Sequence, residues 1–150
     1  MNDRFGRFAF AISEISRYWH KLAADEMEKY GLKGPCSVYL LLILNYPEGI
    51  TASMLCEKSG KDKSDISRAM AIMEKKGLVI KESIYQNRYG GVFKLTEEGK
   101  TAAEHVRRRT RKATELAGKD LTEENRKIFY EGLESIAANL KELCKDGLPE

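Results

Sequence analysis

The chain has 150 residues, 26 of them basic and 23 acidic, with a formal net charge of +3 and 42% hydrophobic residues; this is the composition of an ordinary globular domain, long enough to bury a core. With 3 Pro and 12 Gly there is little material for long linkers, and no run approaches the ~18 apolar residues of a membrane span. Met1 to Arg7 lacks the apolar stretch of a secretory leader and the three cysteines are widely spaced, so a reduced, cytoplasmic protein without a disulfide framework is expected.

Taken in chain order, Phe5, Phe8, Ile12, Ile15, Trp19 and Leu22 recur at spacings of three and four. That is an amphipathic helix whose apolar seam is close to a heptad. Gly31 and Gly34-Pro35 end it, and Pro35 suits the first turn of a second helix from Cys36 to Asn45. Pro47-Glu48-Gly49 reads as a turn. Thr51 caps a short third helix through Lys58, stopped near Gly60, and Asp62 or Ser64 caps a fourth that runs to Lys76 with Gly77 at its end. The pattern then changes to two short strands, Leu78 to Ile84 and Val92 to Leu95, joined by Tyr85 to Gly91. Thr96 with Glu97 and Glu98 starts a long fifth helix, broken at Gly118 and Asp120. Thr122 with Glu123 and Glu124 starts a sixth, along which Phe129, Leu133, Ile136, Leu140 and Leu143 recur at fours and threes. The expected fold class is mainly α with a small β-hairpin wing (α+β), a winged helix-turn-helix over residues 35–96. Long helices at 1–33 and 120–150 bracket it, and 96–118 connects.

Charge is unevenly distributed along this order. Residues 58–94 hold 9 basic and 4 acidic side chains, and residues 120–150 hold 4 and 8. A basic middle beside an acidic tail points to a polyanionic partner. On the fourth helix, at about 100° per residue, Ile66, Met70 and Met73 share one face, and Ser64, Arg68, Ala71 and Lys75 lie on the opposite one with Ser67 at its edge. A short, polar, basic face of this kind suits a major groove, where an arginine can pair bidentately with guanine and Lys61, Lys63 and Lys75 can meet phosphates.

The stretch Asp62-Lys63-Ser64-Asp65-Ile66-Ser67-Arg68, continuing Met73-Glu74-Lys75-Lys76-Gly77-Leu78-Val79, resembles the recognition helix of the MarR family of bacterial transcription regulators. Lys94-Leu95-Thr96-Glu97-Glu98-Gly99 is similar to the strand-to-helix junction after that family's wing. The resemblance implies a dimeric, sequence-specific repressor or activator reading double-stranded DNA at an inverted repeat. Ser64, Asp65, Ser67 and Arg68 would then face bases, and Lys61 and Lys63 the backbone. At the wing tip, where family members often carry an acidic residue two positions before an arginine, this chain has Asn87-Arg88-Tyr89-Gly90. Arg88 would reach a minor groove there without that acidic partner.

The two terminal seams hold more apolar surface than one small winged domain needs to cover. Phe8, Ile12, Ile15 and Trp19 can pack on Leu133, Ile136, Leu140 and Leu143 of a second copy, setting two recognition helices about one DNA turn (~34 Å) apart; the alternative is that both seams close on their own chain. The run Arg107 to Lys112 on the fifth helix is a solvated face or a further phosphate contact. The resemblance also implies a small, often aromatic or anionic effector, for which Tyr18, Trp19, Tyr39 and Tyr46 would line a crevice with Arg17 or His20 as charge partner. Cys36, at the positive end of the second helix, is the residue a redox-sensing regulator would use. His20 and His105 have no second histidine at ligand spacing, so neither metal nor cofactor is expected. Without a nucleophile-base cluster or a phosphate-cradling loop, catalysis is not expected either. A winged helix used for protein contacts remains the rival reading, although such an interface would want aromatic anchors in place of Ser64, Arg68 and Lys75.

Overall fold

A computed structural model describes residues 3–83 and 90–150 and divides into two compact units, Met1–Arg109 and Thr110–Glu150. In the first unit, α1 (Arg4–Glu28) begins at Asp3, whose carboxylate accepts hydrogen bonds from the amides of Phe5 and Gly6. Such caps satisfy donors that the first helical turn cannot pair within itself. Next come α2 (Cys36–Leu44), β1 (Ile50–Thr51), α3 (Ala52–Ser59) and α4 (Lys63–Lys75). The wing strands β2 (Val79–Ser83) and β3 (Gly91–Leu95) follow, then α5 (Glu97–Ala117). Among the described residues no helix is long and apolar enough to cross a membrane.

The helix-turn-helix is punctuated by its caps. Thr51 accepts from the amide of Met54, Gly60 closes α3 in the left-handed conformation at φ 69°, and Asp62 accepts from the amide of Asp65 at 2.8 Å. Of the two caps the sequence allowed for α4, Asp62 is the one used. Gly77, at φ 73°, ends that helix and turns the chain into β2, a conformation that costs a residue with a Cβ.

In the wing, β2 and β3 form the antiparallel pair expected from the sequence, and a third strand joins them. The result is a three-stranded antiparallel sheet in the order β1-β3-β2, with Ile50 opposite Phe93 and Val79 opposite Leu95. The extra strand is only two residues long, too short to leave an alternation in the sequence. Its effect is to fasten the start of the helix-turn-helix to the strand that leaves the wing.

One core holds this unit together. Tyr39, Leu40 and Ile43 of α2 meet Leu55 of α3, Ile66, Met70 and Met73 of α4, the sheet residues Ile50, Val79, Phe93 and Leu95, and Ala102, Ala103 and Val106 of α5. Met27, at the end of α1, is fully buried among them. Beside it, Glu26 accepts from Lys29 Nζ at 2.8 Å and Arg109 Nε at 2.9 Å, with His105 Nε2 at 3.7 Å. The hydrogen bond from Lys29, and after it the one from Arg109, holds the Glu26 carboxyl below the usual carboxylate range against the opposing effect of burial. A depressed folded-state value stabilises the fold above the unfolded-state value, and this contribution is lost as pH falls through the folded one. We therefore expect Glu26→Gln to lower stability by about 0.5–1 kcal/mol at pH 7. In denaturant titrations the two proteins should converge as pH falls below the range in which ordinary carboxylates titrate.

The second unit carries α6 (Glu123–Asp146), capped by Thr122 through the amide of Asn125. Arg126 reaches back to the Gly118 carbonyl at 2.9 Å and so fixes the turn that precedes the helix. No residue of α6 is buried.

Candidate nucleic-acid interface

The candidate face is built from α4 outward. Ile66, Met70 and Met73 anchor the helix in the core, and this turns Ser64, Ser67, Arg68, Ala71 and Lys75 to solvent, with Lys61 and Lys63 exposed at its start. Small hydroxyl and methyl groups around one arginine allow a close approach to base edges, and lysines at both ends of the helix flank it with charge. Arg68 does not stand alone. Its Nη2 donates to Asp65 Oδ1 at 2.6 Å, and the two side chains are 69% and 44% exposed. The sequence expectation set Asp65 beside Arg68 as a separate base-facing group; the pair lies one turn apart on the helix, and that spacing was the signal for it.

At the base of the wing, Lys94 Nζ pairs with Glu82 at 2.8 Å across β2 and β3, and this hydrogen bond pushes the Lys94 ammonium up from its ordinary value. Asn87 and Arg88, expected at the wing tip, lie outside the described residues.

The residues expected to line an effector crevice are distributed as follows. Arg17, Tyr18, Trp19 and His20 are exposed on α1, with the Arg17 guanidinium 4.8 Å from the centre of the Tyr18 ring. Tyr46 is half-buried after α2, with Lys58 Nζ 5.6 Å from its ring centre. Tyr39 is only 2% exposed and belongs to the core. It borders a cavity of about 320 Å³ between the α1–α2 connection and α4, whose walls include Lys33, Cys36, Asp65, Arg68 and Ile72. In that wall Cys36 is buried, and burial pushes its thiol up despite a hydrogen bond with the Lys33 backbone. This is opposite to the shift expected from the helix dipole alone, because loss of water outweighs the partial charge of a helix end. The shift disfavours the thiolate on which a redox sensor at Cys36 would depend.

Both terminal seams remain uncovered. On α1, Phe8, Ile12, Ile15 and Trp19 are each 40–58% exposed; on α6, Ile136, Leu140 and Leu143 are 36–47% exposed and Leu133 is half-buried.

Residues 30–88 match the model of the MarR family, a span that runs from the α1–α2 connection through α4 into the wing. No curated protein matches the chain in sequence. Among solved structures, the chain is similar to a Listeria monocytogenes protein assigned to the MarR family of transcriptional regulators and complexed with a 26mer DNA. The TM-score is 0.83 at 24% identity, covering 100% of this chain and 99% of that one. It is similar also to a MarR transcriptional regulator from Methanosarcina mazei Go1, with TM-score 0.82, 21% identity and 92% and 99% of the two chains covered. A third is S. aureus MepR in a DNA complex, with TM-score 0.79, 16% identity and 89% and 97% covered. At these identities the likeness is one of fold, and the likeness in sequence is confined to the winged segment. The chain has a winged helix-turn-helix fold, and its segment 30–88 is similar to the MarR family.

Proposed function

We propose that this protein is a sequence-specific DNA-binding transcription regulator that acts as a homodimer on an inverted-repeat operator. The observation that carries the reading is the outer face of α4, where Ser64, Ser67 and Arg68 sit between Lys61, Lys63 and Lys75 with no large apolar anchor beside the arginine except Ile72 at one edge. That chemistry fits base edges and phosphates better than a protein partner. DNA complexes of proteins with this fold support it further.

The dimer part of the proposal rests on the exposed seams of α1 and α6. Apolar side chains at heptad-like spacing on two helices are unusual for a chain that stays single, and a two-fold pair matches the symmetry of an inverted repeat. The effector part rests on Arg17, Tyr18, Trp19 and His20, which offer an aromatic and cationic surface on α1 to a small anionic or aromatic ligand.

The test is fluorescence anisotropy on DNA from upstream of the protein's own gene, and on duplexes selected from random sequence, at two salt concentrations beside sedimentation analysis. Tight binding of a dimer to one sequence, falling steeply with salt, is the expected result. Equal binding to all duplexes, or none at low salt, would overturn the reading. Within this assay Lys63→Ala is expected to weaken all sequences evenly and to reduce the salt slope by about 1, because it removes one phosphate contact and the counterion release that goes with it.

A further inference from the structure

On the proposed recognition face one group has the wrong sign for a polyanion. The Asp65 carboxylate stands among Lys61, Lys63, Arg68 and Lys75, 44% exposed, where it would repel DNA phosphates. Folding does not require it there, since an exposed ion pair one turn apart on a helix contributes about 0–1 kcal/mol. Nor is it loosely held. Its amide donates to the capping carboxylate of Asp62 at 2.8 Å, and the residue lines the cavity that Tyr39 borders. Among the described residues the carboxylate accepts one side-chain hydrogen bond, donated by Arg68 Nη2 to Oδ1 at 2.6 Å.

We infer that Asp65 is a positioning residue that makes Arg68 read a base rather than a phosphate. The inference rests on the DNA-binding reading. A free arginine on a DNA-facing helix is drawn to whichever phosphate is nearest, and such contacts carry no sequence information. Pairing one nitrogen with a fixed carboxylate changes this in two ways. It cancels the net charge at Arg68 alone, leaving Lys61, Lys63 and Lys75 as the residues that attract the backbone. It also fixes the plane of the guanidinium while leaving the rest of the fork free, and a planar fork of donors matches the two acceptors of guanine on the major-groove edge. Asp65 therefore lowers affinity for DNA in general and raises discrimination at one base pair.

The experiment compares wild type, Asp65→Asn, Asp65→Glu, Arg68→Ala and the Asp65→Asn/Arg68→Ala double variant. Affinity is measured for the selected duplex, for the set of its single-base-pair variants and for random duplex. Thermal unfolding confirms that each protein is folded. For Asp65→Asn, binding to random duplex is expected to strengthen while preference falls about tenfold at one base pair. That base pair should be the one at which Arg68→Ala loses preference, and Asp65→Asn should change the preference no further once Arg68 is absent. Asp65→Glu, which keeps the charge, should retain more of the preference than Asp65→Asn. Uniform weakening of all duplexes by Asp65→Asn would make the residue a structural one and overturn the inference. So would loss of preference at a different base pair, which would mean that Asp65 touches a base itself. If wild type prefers no sequence at all, the DNA-reading proposal fails first, and that result is distinct from either of these.

Discussion

Arg68→Ala should lower affinity for the selected site by about 1–3 kcal/mol, roughly a fivefold to 150-fold loss, and affinity for random duplex by far less. The side chain is 69% exposed on the outer face of α4, so unfolding should change by no more than about 0.5 kcal/mol. The loss on the specific site has two sources. One is the missing pair of donors to a base edge. The other is the Asp65 carboxylate, which the substitution leaves unpaired at the interface, where it repels the polyanion. Arg68→Lys separates them, because it keeps a cation beside Asp65 but lacks the planar fork. It should hold random duplex nearly as well as wild type while losing most of the discrimination. Competition anisotropy on selected and random duplexes reads both effects. Unchanged specific affinity in Arg68→Ala would mean that another surface reads the DNA.

Gly99→Ala should be the most damaging single methyl group in the chain. Gly99 is buried in the first turn of α5, and a Cβ there would overlap the carbonyl oxygen of Leu78 and crowd Leu95. That carbonyl is already in use: it accepts from the Thr96 amide at 3.1 Å, while the Thr96 hydroxyl donates to the Gly77 carbonyl and accepts from the Gly99 amide at 3.0 Å. The end of α4, the start of β2, the end of β3 and the start of α5 are all held at this junction. Backbone cannot move aside as a side chain tip can, so the methyl group forces the helix away from the sheet. A cost of about 2–3 kcal/mol is expected, or a fall of roughly 4–12 °C in the midpoint of thermal unfolding. Ordinary helix propensity predicts the reverse, since alanine is the better helix former. A stabilised variant would show that the close approach does not exist in solution.

Much of this architecture is written in local chemistry. Thr51, Asp62 and Thr122 were recognisable as caps because a short oxygen-bearing side chain precedes each apolar periodicity, and all three hold amides in the structure. The seams on α1 and α6 were readable for the same reason, as their spacing survives without tertiary help. What the sequence concealed depends on pairing at a distance. β1 is two residues long and exists only because Val92 and Phe93 lie beside it. The carboxylate of Glu26 also meets His105 and Arg109 of α5, far away in sequence, and no spacing rule anticipates that. Tyr39 and Cys36 looked suited to chemistry by type and by position at a helix start, yet α2 is apolar nearly all round and burial governs both: it takes Tyr39 into the core and pushes both hydroxyl and thiol up. At the interface itself, the basic outer face of α4 followed from helical geometry. The bond between Asp65 and Arg68 was open to reading from their i,i+3 spacing but was not drawn from it.

The ladder between Ile50–Thr51 and Val92–Phe93 also bears on how the fold is reached. It joins two points of the chain that flank α3, α4 and β2, so the helix-turn-helix sits inside a loop that two backbone pairs close. Helices of this length form fast, but a contact so distant along the chain must pay its loop-closure entropy before it returns any stability. The recognition helix therefore gains its fixed direction late, when β3 docks, and loses it at the same moment on unfolding. Binding and folding of this segment share one cooperative unit, and a change at the root of the wing reaches α4 as a change in population rather than in shape.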